Sequence, residues 1–169
     1  VPAKPVMFNL KDVTVPDLIA GEKSRITAAI VVINTLDRDL KGWKIKITNP
    51  DGAQGSEEFP RIGQTDIPLI QPLSLRKVGV GWGIARAYMG DFALHLALFD
   101  EQGTVRDTAT LKLRVVSPSQ PRRETFVSSI DGSVQYYAVN PQIPVAAELM
   151  KYGAERPALI FSLHGASVE

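Results

Sequence analysis

The sequence predicts a mainly β protein, an antiparallel β-sandwich followed by a C-terminal β-hairpin and one further strand. Three observations predict it. Apolar residues alternate at period two through most of residues 6–116. The alternating runs are short and separated by Gly, Pro and Asx residues. No stretch keeps a helical period long enough to make a convincing helix. Six or seven short strands within about a hundred residues is the pattern of a two-sheet sandwich.

The elements follow in order. "VMFNLKDVTV" (Val6–Val15) is rich in β-formers. "SRITAAIVVINT" (Ser24–Thr35) places Ile26, Ala28, Ile30 and Val32 on one face and Val31 and Ile33 on the other, which predicts a central strand covered on both sides. "LDRD" (Leu36–Asp39) is a polar turn. "GWKIKIT" (Gly42–Thr48) alternates cleanly, with Trp43, Ile45 and Ile47 inward and Lys44 and Lys46 outward. "NPDGAQGSEEFP" (Asn49–Pro60) is a loop by its turn residues. "IPLIQP" (Ile67–Pro72) is too proline-rich for a central strand. "SLRKVGVGW" (Ser74–Trp82) carries Val78, Val80 and Trp82 on one face. "GDFALHLALFD" (Gly90–Asp100) turns Phe92, Leu94, Leu96 and Leu98 inward. "TVRDTATLKLRVV" (Thr104–Val116) returns after the "DEQG" turn with Leu111, Leu113 and Val115 inward, so these last two strands form a hairpin.

"SPSQPRR" (Ser117–Arg123) has two prolines, two serines and no apolar residue, and reads as a linker. The pattern then restarts. "ETFVSSIDGSVQYYAVNP" (Glu124–Pro141) is two strand-like runs around Asp131-Gly132, a dipeptide suited to a type I′ hairpin turn. "IPVAAELMKYGAERP" (Ile143–Pro157) has room for a turn or two of helix, with Gly153 as a stop. "RPALIFSLHGA" (Arg156–Ala166) has an unbroken apolar centre, the pattern of a strand buried on both faces. The predicted organisation is a sandwich at 1–116, a linker at 117–123 and the truncated start of a second domain at 124–169.

Composition narrows the function. The chain has 169 residues, 44% of them hydrophobic and 22% charged, with a net charge of +1. Disorder throughout is excluded, and no basic excess points to nucleic acid. No apolar run approaches a membrane span. There is no cysteine, which excludes disulfides, thiolate chemistry and Cys-based zinc sites. No pattern in the chain implies a cofactor or metal.

Two resemblances carry further expectations. "ITAAIVVINTLDRDLKGWKIKIT", the proline-flanked "IPLIQPLS" and the "GDFALHLALFDEQG" hairpin resemble, in their order, immunoglobulin-like accessory domains of bacterial secreted enzymes. That likeness covers about residues 6–116, implies an immunoglobulin-like sandwich and suggests an extracytoplasmic site, periplasmic or secreted. A hairpin, a short connection and a hydrophobic strand ending in His-Gly resemble the start of an α/β-hydrolase domain of the prolyl-oligopeptidase-like and esterase-like serine hydrolases. In those families the His-Gly turn holds a backbone N–H against the oxyanion. The resemblance implies that His164 and Gly165 shape the turn and that the N–H of Ala166, or of a neighbour, is the candidate oxyanion donor of the parent enzyme. No serine lies in G-x-S-x-G, and no triad follows, so this chain by itself carries no catalytic residue.

Other chemistry-bearing residues have structural readings. "VGVGWG" (Val78–Gly83) is not a dinucleotide fingerprint, and its glycines are the small face of a strand. His95 has no second histidine near it in sequence. Asp37, Asp39 and Asp51 fit no calcium loop. Trp43 and Trp82 fall on inward phases and fill the core rather than joining Tyr88 in a sugar platform. Tyr136 and Tyr137 face opposite sides of one strand. The favoured function is a non-catalytic N-terminal accessory domain of a larger bacterial serine hydrolase, its partner the catalytic domain C-terminal to it. The alternative is a self-contained binding or adhesion module for carbohydrate or protein; a plain spacer is the third reading. A strand such as Ala158–Leu163 without sheet neighbours is expected to pair with its own hairpin, with the sandwich edge, or with a second chain by strand exchange in a homodimer.

Overall fold

The computed structural model describes residues 4–48, 62–84, 87 and 90–141. They form an antiparallel β-sandwich. One sheet has three strands in the order β1 (Val6–Thr14), β3 (Ser24–Asn34), β6 (Ser74–Ile84). The facing sheet has five, in the order β2 (Leu18–Ile19), β8 (Val105–Val116), β7 (Gly90–Phe99), β4 (Lys44–Thr48), β5 (Ile62–Asp66). A separate two-stranded sheet joins β9 (Arg122–Val127) to β10 (Val134–Val139). Among the described strands every ladder is antiparallel except the short β2–β8 one, and an isolated parallel bridge joins Ala20 to Ala87.

The inward phases are those the alternation predicts. Ile26, Ala28, Ile30 and Val32 of β3 face Ile45 and Ile47 of β4 and Leu94, Leu96 and Leu98 of β7 in one buried cluster. Leu111, Leu113 and Val115 of β8, Val78, Val80 and Trp82 of β6, and Trp43 belong to it as well. β3 is the centre of its sheet and is buried on both faces, as its sequence predicts, with Val31 as inaccessible as Ile26. Turn chemistry closes the β7–β8 hairpin. The buried Asp100 carboxylate accepts the N–H groups of Gln102 and Thr104 and the Arg106 guanidinium, while Gly103 takes a positive φ of 79°.

Two features close the open sides of the sandwich. On one, Asp107 of β8 accepts the Phe8 N–H of β1 at 2.8 Å and the Lys4 ammonium at 2.6 Å, bridging the two sheets. On the other, β5 crosses β6 so closely that a Cβ on Gly63 would stand 3.0 Å from the Gly81 carbonyl oxygen and 3.1 Å from the Trp82 Cβ. Both are rigid neighbours. Gly63→Ala is therefore expected to cost about 1–3 kcal/mol through a forced backbone shift, read as a lower urea midpoint at unchanged slope.

The structure departs from the sequence reading in three places. Residues 62–66 form β5, an edge strand that "IGQTD" does not announce because only one large apolar residue lies in it. The β9–β10 connection is not a two-residue type I′ turn. Its loop runs from Ser128 to Ser133, and only Gly132 has positive φ. The Asp131 carboxylate accepts the Ser133 N–H and hydroxyl, and the Gly132 N–H reaches the Ser128 carbonyl. That side-chain capture of local donors gives a wider loop than the dipeptide alone implies. The predicted linker begins with a turn at Ser117–Gln120, and its last two residues, Arg122 and Arg123, already belong to β9. Residues 142–169, and with them the predicted hydrolase strand, lie outside the described residues.

Candidate functional site

The chain leaves the sandwich at the end of β8, and a buried cluster of polar groups stands there. Asp17 lies in the bend between β1 and β2 with its side chain 1% exposed. It accepts two bonds from Arg114 of β8, from Nε at 3.1 Å and from the terminal nitrogen at 2.6 Å. It also accepts the Arg123 N–H of β9 at 2.8 Å, while its own N–H donates to the Arg123 carbonyl at 2.9 Å. Burial raises the Asp17 pKa. The Arg114 hydrogen bonds, the Arg123 N–H and the charges of both guanidinium groups outweigh burial and hold it below the ordinary aspartate value.

The hairpin is fastened a second time along its length. The β9–β10 register puts Thr125, Val127, Val134 and Tyr136 on one face and Glu124, Phe126, Gln135 and Tyr137 on the other. The first face meets the sandwich. Thr125 Oγ1 donates to the Thr27 carbonyl of β3, and Val134 Cγ2 lies 3.3 Å from where a Gly79 Cβ would stand. The glycines of "VGVGWG" thus have a packing role, since Gly79 makes room for the hairpin beside β3.

Between hairpin and sandwich lies a cleft of about 320 Å³, lined by Asp17, Glu22, Arg25, Arg122, Glu124 and Thr125 among others. Part of its charged rim is self-paired: Arg122 Nε donates to Glu124 at 2.8 Å, and Glu124 accepts the Tyr137 hydroxyl at 2.7 Å. The Tyr137 hydrogen bond, helped by Arg122, keeps the Glu124 carboxyl below the usual glutamate value, and the same bond raises the Tyr137 phenol. Tyr137→Phe should accordingly move the Glu124 pKa upward in a carboxyl-carbon NMR titration; an unmoved value would disprove that coupling.

The opposite pole holds a second hollow of about 390 Å³, with Pro5, Leu36, Trp43 and Val105 below and Lys4, Arg38 and Arg106 around it. Each of those cations has a carboxylate: Asp107 for Lys4, Glu101 for Arg38 and Asp100 for Arg106.

Among the described residues no three His, Cys, Asp or Glu side chains converge as a metal site. Asp37 and Asp39 are exposed, and Asp51 lies outside the described residues. His95 is exposed on β7, with Thr110 Oγ1 3.3 Å from its Nδ1. Trp43 and Trp82 are buried, so neither offers a face to a sugar, and Tyr88 is outside the described residues. Tyr136 and Tyr137 are 61% and 46% exposed, on opposite faces of β10. The oxyanion-turn residues His164, Gly165 and Ala166 also lie outside the described residues. Asp17, Asn34 and Asp107, which organise the structure, are not singled out by any motif.

No protein-family model and no curated relative matches the sequence. Solved structures do. A β-glucuronidase from glycoside hydrolase family 2 superposes with a TM-score of 0.50 at 16% identity, over 82% of this chain and 14% of that one. The Bacteroides uniformis β-glucuronidase superposes with a TM-score of 0.50 at 11% identity, over 79% of this chain and 16% of that one. At such identities the likeness is one of fold, a β-sandwich of the kind found within far longer chains. The matched part spans only 14% of the one protein and 16% of the other.

Proposed function

We propose that the chain is the non-catalytic accessory β-sandwich of a larger multidomain hydrolase, and that its role is to hold the following domain in a fixed relation to itself. The observation that carries this reading is the pinned exit. A free-standing binding module has no need to fasten the strand that leaves it, whereas here Asp17 holds Arg123 by two hydrogen bonds, one from the Arg123 N–H to the carboxylate and one from its own N–H to the Arg123 carbonyl. The fold likeness to parts of large hydrolase chains supports an accessory role.

For the parent chemistry, the sequence after the hairpin favours a serine hydrolase, peptidase or esterase. "ALIFSLHGA" would supply its third strand and oxyanion turn, with the Ala166 N–H as donor. The glycosidase neighbours favour a second reading, a sandwich within a glycoside hydrolase. The resemblance to accessory domains of secreted enzymes favours an extracytoplasmic location, periplasmic or secreted.

Reading the source gene past the Glu169 codon, and labelling the full-length product with a fluorophosphonate, tests this. The expected result is a frame that continues through G-x-S-x-G to an Asp and a His, with a product that labels. A downstream domain built on paired carboxylates would move the sandwich into a glycosidase. A stop codon would leave the self-contained binding module.

A further inference from the structure

The hollow at the pole opposite the chain's exit presents one sign of charge. Its lining is mostly apolar, with Trp43 buried beneath Leu36 and Val105, and every charged residue that lines it is a cation: Lys4, Arg38 and Arg106. The cleft beside Asp17 is lined by both signs. The carboxylates that pair with the three cations do not line the hollow. Asp100 and Asp107 are buried, and each also accepts backbone N–H groups. Donors are therefore left over. Arg106 spends its Nε on Asp100 and keeps its terminal nitrogens, and Lys4 spends one N–H on Asp107. Arg38 stands 3.8 Å from Glu101, too far for a hydrogen bond, and its guanidinium makes no hydrogen bond among the described residues. The walls are also fixed. The Pro5 carbonyl accepts the Thr35 N–H and hydroxyl, Asn34 ties Leu36 to Arg38, and the Asp100 turn holds Arg106. Groups already held in place lose little freedom when a ligand arrives.

We propose that this hollow binds a small amphipathic carboxylate, its apolar body seated in the lining and its anionic end met by Arg38 and Arg106. The volume of about 390 Å³ is that of a small-ligand site, and an apolar lining with a few fixed polar groups is the usual make-up of one. The planar guanidinium fork matches a carboxylate in geometry. The charge of the ligand follows from the pairing. Each cation is already partly neutralised by its own carboxylate, which suits a single negative charge better than a dianionic phosphate. An uncharged ligand would leave the spare donors without acceptors once water is displaced. The hollow lies at the other end of the sandwich from the Asp17 node, so this inference and the accessory-domain reading stand or fall separately.

Three probes titrated into the 169-residue chain and followed by amide NMR shifts test this. Phenylpropionate has both the apolar body and the charge, phenylpropionamide the body alone, and acetate the charge alone. The expected result is saturable movement of the Leu36, Arg38 and Val105 amides and the Trp43 indole with phenylpropionate, while β9 and β10 stay unmoved. The amide and acetate should each bind about tenfold more weakly. Arg38→Gln should weaken phenylpropionate about fivefold and leave the amide unchanged. That variant keeps the fold, because Arg38 is 64% exposed and its ion pair is loose. Equal affinity for acid and amide would remove the cations from the site and overturn the proposal. Acetate binding as tightly as phenylpropionate would reduce the hollow to a patch of surface charge, which overturns it too. So would the absence of any shift at these residues at millimolar phenylpropionate.

Discussion

Asn34→Ala is expected to lower stability by about 3 kcal/mol, although no large side chain is removed. Asn34 is 1% exposed at the end of β3. Its amide donates to the Arg38 carbonyl at 2.9 Å and the Gln71 carbonyl at 2.8 Å, and its oxygen accepts the Leu36 N–H at 3.0 Å. One side chain thus ties the β3–β4 loop to the segment before β6. Not every partner is orphaned by truncation. The Gln71 carbonyl keeps the Ser74 hydroxyl at 2.7 Å. The Arg38 carbonyl and the Leu36 N–H, both part-buried, lose their side-chain partner, and about 1.5 kcal/mol for each lost hydrogen bond gives the figure. For a domain of this size the loss should appear as a melting temperature lower by about 10 °C. Asn34→Asp sharpens the test, because a carboxylate there faces carbonyl oxygens. Those neighbours disfavour the charged form and raise its folded pKa above the unfolded value. The Asp variant should be worst at neutral pH and recover as pH falls through the raised value, when the protonated acid donates again. A variant as stable as wild type by urea denaturation would remove Asn34 from the account.

Much of this was legible in the sequence, and the residues show why. The period of two places the core residues of β3, β4, β6, β7 and β8, apart from Ile84, which lies past the alternating run that ends at Trp82, because a pleated strand buried on one side has no other way to read. The same period also carries a signal that goes unused without the structure. Ile26, Ala28, Ile30 and Val32 lead on to Asn34, and Val115, Leu113 and Leu111 lead back through Ala109 to Asp107. A polar residue on an inward phase near a strand end marks a buried group with structural partners, and both positions are such groups. β5 was not legible, because an edge strand owes its existence to the ladder offered by β4 rather than to its own side chains. The Asp17 node was not legible either. Its partners are 97 and 106 residues away, and no local pattern records a contact made only after the sandwich has closed.

Asp17→Ala is expected to cost about 2–3 kcal/mol and to loosen β9 and β10 before the sandwich itself unfolds. Breaking a fully buried ion pair costs about 3–5 kcal/mol, because the surviving charge is stranded. Here the survivor, Arg114, is 57% exposed and rehydrates, which lowers the figure. What does not rehydrate is the geometry at Arg123, whose N–H loses its acceptor. Limited proteolysis should therefore cut the variant between Ser117 and Val139 while β3, β6 and β7 stay intact; simultaneous loss of both regions would show that the hairpin is not a separable unit. The pH dependence gives an independent reading. The folded pKa of Asp17 lies below its value of 3.8 in the free state, so the unfolded chain takes up the proton first as acid is added. Its stabilisation is complete above about pH 5, and declines as pH falls past 3.8 toward the lower folded value. Asp17→Asn keeps the shape and two of the acceptor directions but has no such step. The gap between wild type and Asp17→Asn should be widest at neutral pH and close in acid. A gap that does not change with pH would assign the node's contribution to shape, and leave the charge of Arg114 without a part in holding the chain where it leaves the sandwich.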